Sequence, residues 1–285
     1  MFDPLAGCRA LVVATRLHLG KASAPPLQKD LDAKVASFIR FCSHSCQAAV
    51  GVVAVDATER IAGFDLVKAV QRSCDKALED TSVSTEIILL PVSPWGKFVP
   101  ALNALVTFVR LLTLCKAKQV LFVSAETMAS PESIDVLLSH ITAADDVLVA
   151  GALLPGHLYE ASVDGNEALE VELNGRTAPW NTMAVWNLKK LALTGFQLVS
   201  EGHLTDDQTQ PSYGVEEVVA IAMLQALLGK EMAVAKLVRL PGVDWDQSFC
   251  DPERQKWHVA KMESKRIRAQ VQLDLLGLKG SVIHC

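Results

Sequence analysis

Five short β-branched runs constrain what this chain can fold into. They are ALVVAT (10–15), AVGVVAVD (49–56), TEIILLPV (85–92), QVLFVSA (119–125) and VLVAGALL (147–154). Between them, apolar residues recur with helical spacing near 28–44, 63–79, 98–116 and 131–142. An apolar run without alternation is a strand buried on both faces, and the intervening helices supply the two covering layers. Right-handed crossovers then predict an α/β fold with a doubly wound, mostly parallel sheet flanked by helices. Ligands of such sheets bind outside the carboxyl ends of the strands. That rule singles out Thr15 and Arg16, Asp56, Pro94 to Lys97, and Ser124 to Glu126.

The second half changes character. LYEASVDGNEALEVEL (158–173) alternates with period two around Asp164-Gly165, which predicts a hairpin. WNLKKLALTGF (186–196) reads as a short helix ending near Gly195. GVEEVVAIAMLQALLGK (214–230) reads as an amphipathic helix with acids in its first turn and a stop at Gly229. AVAKLVRL (233–240) is a late strand, and residues 251–277 form a long C-terminal helix with a basic middle. The polar, turn-rich segment EGHLTDDQTQPSYG (201–214) is expected to be a mobile loop over a site. With no repeat and no low-complexity linker, one domain spans 1–285, with a ligand-binding half at 1–155 and a second half at 156–285.

Composition removes whole classes of function. Half of the 285 residues are apolar, so a large core is expected. A net charge of −5 without a basic block argues against a grip on nucleic acid, which needs dense Lys and Arg. No apolar run reaches membrane-spanning length, and the N-terminus lacks a secretory pattern, so a cytoplasmic protein is expected. The seven cysteines are odd in number and several lie in apolar periodic segments, which reads as reduced thiols. CSHSC (42–46) has no second ligand pair at a zinc spacing, and buried thiols are the plainer reading. An apolar surface on the last helix would serve a homodimer.

The stretch WGKFVPALNALVTFVRLLTLCKAKQVLFVSAETMASPES (95–133) holds Gly96-Lys97, Ala101-Leu102-Asn103, a helix, the strand Val120–Val123 and then Ser124, Glu126 and Thr127. In order and spacing it resembles the family 2 glycosyltransferases of the GT-A fold, whose strand ends on Asp-x-Asp-Thr. Here Ser124 and Glu126 stand at the two acidic positions. VVAVDATE (52–59) resembles that family's second strand, which makes Asp56 a nucleotide contact. GVEEVV resembles its Glu-Asp at a helix start, with Glu217, beside Glu216, as the implied catalytic base. ERQKW (253–257) is a degenerate match to Gln-x-x-Arg-Trp that keeps Trp257. The resemblance covers most of 10–258 and is faint between 155 and 213.

It implies a sugar moved from a nucleoside diphosphate donor to an unknown acceptor. Thr15, Asp56, Lys97, Asn103, Ser124 and Glu126 would hold the donor. The departing diphosphate gathers negative charge that a divalent cation or Lys/Arg must neutralise. A Mn²⁺ or Mg²⁺ would find Glu126 and, from late in the chain, His258; the plainer reading of His258 is a half-exposed helix histidine. TAPWNTMAVWN (177–187) suggests sugar contacts at Trp180 and Asn181, since sugars favour an aromatic face flanked by amide donors. Trp186 reads as an anchor of the second half. Acids in a first helical turn are also favoured by the helix dipole alone, so Glu216 and Glu217 keep a structural alternative. Two rival readings remain. Loss of the first acid fits a degenerate GT-A domain that binds a partner or nucleotide without catalysis. The loop 14–30, with Arg16, Gly20 and Lys21, loosely echoes a sugar nucleotidyltransferase.

Overall fold

The computed structural model describes residues 11–20, 24–44, 48–58, 61–79, 85–112, 117–161, 168–202, 215–245 and 252–285. The first half alternates strand and helix: β1 (Leu11–Leu17), α1 (Gln28–His44), β2 (Ala48–Asp56), α2 (Leu66–Glu79), β3 (Glu86–Val92), α3 (Val99–Leu112) and β4 (Gln119–Val123). A short β5 (Thr127–Ala129), α4 (Pro131–Thr142) and β6 (Val147–Ala152) follow. The second half supplies β7 (Leu169–Glu172), β8 (Met183–Asn187), α5 (Leu188–Leu191), α6 (Glu216–Leu228), β9 (Val234–Val238), β10 (Val243–Trp245), α7 (Pro252–Leu276) and β11 (Ser281–His284).

Nine strands form one sheet in the order β3-β2-β1-β4-β8-β6-β9-β11-β7. Five of its eight pairings are parallel; β8 runs antiparallel between β4 and β6, and β7 pairs antiparallel with β11. This is a doubly wound, mostly parallel α/β sheet flanked by helices. The apolar runs of β1 and β4 are buried on both faces, whereas β3, expected to be buried likewise, lies at the sheet edge and stays half-exposed. In β1, Val12 and Ala14 join the core under α3 and α6, while Leu11, Val13 and Leu17 join the core under α1, α2 and α4. In β4, Val120 and Phe122 divide from Leu121 and Val123 in the same way. Period-two geometry turns one apolar run into two hydrophobic faces.

Three expectations are corrected. Residues 158–161 form no strand, and β7 takes its partner from β11, at the other end of the second half. Alternation marks a half-exposed strand but does not name its neighbour. Trp186 and Asn187, read as the start of a helix over 186–196, instead end the central strand β8, and the helix after them is only Leu188–Leu191. Helix α6 is buried nearly all round rather than along one stripe, with Val218 to Ala222 all inaccessible, because it lies between the sheet and α7. Segment 203–214 lies outside the described residues, as do the side chains of Trp257 and His258. No described helix is long and apolar enough to cross a membrane.

Candidate active site

Parallel pairing brings the carboxyl ends of β2, β1 and β4 side by side. Antiparallel β8 then presents its amino end at the same edge, with Val123 opposite Met183. A chain of contacts runs along this edge. The Ser124 amide donates to the Thr182 carbonyl at 2.9 Å. The neighbouring Asn181 amide donates to Glu217 Oε1 at 2.7 Å. Glu216, one residue before, faces Arg16 Nη2 at 3.9 Å, and Arg16 Nη1 donates to the Phe98 carbonyl at 3.4 Å. Residues far apart in sequence thus meet because a βαβ sheet gathers its strand ends on one side.

Glu217 is the most perturbed group of the edge. Its side chain is 4% exposed. Burial, and then the neighbouring Glu216 carboxylate, push its carboxyl up to about 7, against pulls from the Lys265 ammonium and the Asn181 amide. A carboxyl poised there can exchange a proton near neutral pH.

Glu126 is opposite in character. Lys34, on α1, holds its Oε1 at 2.8 Å, and the Ser124 hydroxyl donates to its Oε2. Burial would raise this carboxyl, but the Lys34 charge and the hydrogen bonds from Lys34 and Ser124 outweigh burial and hold it below the ordinary value. As a divalent-cation site the donor set does not fit. Both oxygens of Glu126 are engaged, Ser124 offers a hydroxyl spent on Glu126, and no group of three His, Cys, Asp or Glu suited to a metal occurs among the described residues. Sequence reasoning missed Lys34, since a lysine in a helix reads as solvated surface.

The other expected contacts divide. Asp56 is buried at the end of β2, and its Oδ1 accepts from the Thr58 amide at 3.0 Å. Thr15 Oγ1, Trp95 Nε1 and Asn181 Nδ2 are buried without a partner among the described residues, a condition that a polar ligand or a water would relieve. Asn103 clamps backbone: its amide donates to the Phe196 carbonyl and accepts from the Phe196 amide, both at 2.8 Å, which leaves one N–H and one oxygen lone pair.

Trp180 is a correction. It is 1% exposed. His157 stacks on its ring at 3.6 Å, Lys265 Nζ lies over the ring at 3.6 Å, and Trp245 meets it edge-on at 6.1 Å. No open aromatic face is left for a sugar. His157 is held neutral, its ring pushed down to about 3 by burial and then by Lys265; Nε2–H donates to the Ala178 carbonyl and Nδ1 accepts from the Leu154 amide. Trp186 is fully buried, with Nε1 donating to Asn181 Oδ1.

Lys97 sits at the start of α3, where the structure adds a residue that sequence reasoning passed over. Glu201 Oε1 accepts from the amides of Lys97, Phe98 and Val99 at 3.0, 2.7 and 2.7 Å, and Lys97 Nζ donates to the Glu201 carbonyl. The carboxylate satisfies successive amides at a helix start and complements its dipole. Glu201→Ala is expected to cost about 1–2 kcal/mol in urea denaturation, the scale of a lost helix cap. A variant of unchanged midpoint would show that water replaces the carboxylate at no cost.

No protein-family model matches the chain, and no curated protein matches it. Solved structures do resemble it. A mannosyltransferase from Pyrobaculum calidifontis, in complex with GDP-Man and Mn²⁺, is 10% identical with a TM-score of 0.48 over 79% of this chain. The match spans 54% of that protein, about half its length. A 4-diphosphocytidyl-2C-methyl-D-erythritol synthase from Anaerococcus prevotii is 11% identical with a TM-score of 0.45, over 91% of this chain and 98% of that one. A cytidylyltransferase from Leptospira borgpetersenii is 6% identical with a TM-score of 0.40, over 67% of this chain and 66% of that one.

Proposed function

We propose that this protein is a glycosyltransferase that moves a sugar from a nucleoside diphosphate donor to an acceptor hydroxyl. The observation that carries the reading is Glu217, a buried carboxyl with a pKa near 7, fixed by the Asn181 amide at the carboxyl edge of the sheet. In the transfer, Glu217 takes the hydroxyl proton as the acceptor oxygen attacks the sugar's anomeric carbon, and the nucleoside diphosphate leaves with the bonding electrons. Asp56 and Thr15 receive the nucleoside at the ends of β2 and β1, while Arg16 and Lys97 contribute positive charge. On this reading 1–155 holds the donor and 156–285 the acceptor, in a cytoplasmic protein. The sequence resemblance also implies Mn²⁺ or Mg²⁺, but the residues at Ser124 and Glu126 do not fit one, and no step here runs through a cation.

The test is a thermal-shift panel of nucleoside diphosphates and sugar nucleotides, followed by product analysis with the ligand that binds. One diphosphate is expected to raise the melting temperature, since a ligand at 100 times its Kd stabilises the native state by about 2.7 kcal/mol. Slow hydrolysis of the matching sugar nucleotide then supports transfer, whereas pyrophosphate exchange would make the protein a nucleotidyltransferase. A second reading, a GT-A-like domain that binds a partner without catalysis, is favoured by one observation. Glu126 and Asn103 are both engaged by the protein itself. Absence of any shift would select it.

A further inference from the structure

We infer that Lys34 supplies the positive charge opposite the donor's diphosphate, in place of a divalent cation, with Ser124 and Glu126 holding its ammonium at the end of β4. The inference rests on the donor reading above and goes beyond it by assigning the counter-charge to a residue of α1.

Four observations converge. The ammonium is 2.8 Å from Glu126 Oε1. The other oxygen of the same carboxylate takes the Ser124 hydroxyl proton, so the carboxylate is fixed from both sides. A carboxylate at 124 would instead have set two negative charges together, a pair that needs a dication. The charges also balance. Two carboxylates and a divalent cation sum to zero, as do one carboxylate and one ammonium. Serine at 124, glutamate at 126 and lysine at 34 therefore form one consistent exchange rather than a damaged metal site. Finally, the Lys34 side chain keeps 42% of its accessibility and Glu126 38%, so the ammonium is fixed yet reachable from the edge. An ammonium carries three donors, and among the described residues Glu126 is the acceptor it meets. The remaining donors suit phosphate oxygens at an edge already lined by Arg16.

The experiment is calorimetric titration of the nucleoside diphosphate found in the panel, in EDTA and in Mn²⁺, into the wild-type chain, Lys34→Met and Lys34→Arg. Wild-type Kd is expected to change less than about twofold between EDTA and Mn²⁺, while Lys34→Met weakens binding about tenfold or more and Lys34→Arg stays within about threefold, since each tenfold is a clear step in binding free energy. The half-exposed pair contributes little to folding, so Lys34→Met is expected to melt within about 2 °C of wild type, which keeps the binding loss interpretable. Mn²⁺ titrated alone is expected to give no heat that depends on Glu126. Binding that collapses in EDTA, or Lys34→Met binding as wild type, would overturn the role of Lys34 and leave the donor reading standing. No diphosphate binding in either buffer would remove the donor reading itself, and this inference with it.

Discussion

Glu217→Gln is expected to end transfer and, at pH 8, to make the protein more stable. Removing a positioned general base lowers turnover by about 10²–10⁴-fold. Stability moves the other way because the carboxyl is buried. Its ordinary value of 4.5 rises to about 7 in the folded chain. Below pH 4.5 the group is protonated whether the chain is folded or not, and its stabilising contribution is fully present. Between 4.5 and about 7 the unfolded chain ionises first, so stability falls as pH rises, and above 7 the loss is complete. A shift of this size corresponds to at most about 3–4 kcal/mol, at roughly 1.4 kcal/mol per unit. Glutamine keeps an oxygen for the Asn181 amide and never ionises. The variant's gain in denaturation midpoint should therefore appear at pH 8 and vanish at pH 4. Wild-type transfer should rise with pH through an apparent pKa near 7, a limb that the variant lacks. Unchanged turnover would remove Glu217 as the base, whereas lost turnover with no gain at pH 8 would mean that its carboxylate is better solvated than its burial indicates.

Trp180→Ala is expected to cost about 3–5 kcal/mol, the range for emptying a large aromatic site in a core. Against a total stability of about 5–15 kcal/mol for a typical domain, that leaves a chain near its folding limit. The indole has His157 on its ring, Lys265 over it and Trp245 at its edge, and Nε1–H donates to the Gly175 carbonyl at 2.9 Å. The backbone here has no slack: a Cβ on Gly175 would lie 2.2 Å from the Lys265 carbonyl oxygen, and one on Gly151 would lie 2.5 Å from Pro179 Cβ. Trp180 therefore positions the 179–182 turn, and through Asn181 it positions Glu217. Trp180→Phe keeps a ring and should lose less. A sugar platform would behave differently, with a raised KM and an unchanged melting temperature, and that pair of results would reverse the assignment.

The carboxyl-edge rule found Arg16, Asp56, Ser124 and Glu126 from the strands alone, because parallel strands must end on one side. Helix α1 was read at 28–44 and stands at Gln28–His44, since its apolar spacing is a local signal. The partners of those edge residues were not legible. Nothing in the helical pattern distinguishes Lys34 from other surface lysines, and its meeting with Glu126 depends on how α1 lies against the loop after β4. Glu201 was read only as the start of a polar segment, yet it closes the amide end of α3 from 102 residues away in sequence. The tryptophan at 180 announced an unusual stretch, but sequence has no means of telling an aromatic platform from an aromatic core.

The sequence by itself determined the first seven elements, the burial of β1 and β4 on both faces and the side on which the carboxyl ends of the parallel strands gather. These follow from hydrophobic period and chain direction, which are properties of short segments. Only the tertiary structure decided that β8 enters the sheet between β4 and β6, that β7 pairs with β11, that Glu217 is buried near Glu216 and that Glu126 faces an ammonium. Strand pairing between distant segments, desolvation and charge pairing arise from what lies nearby in space, and local pattern carries no record of it.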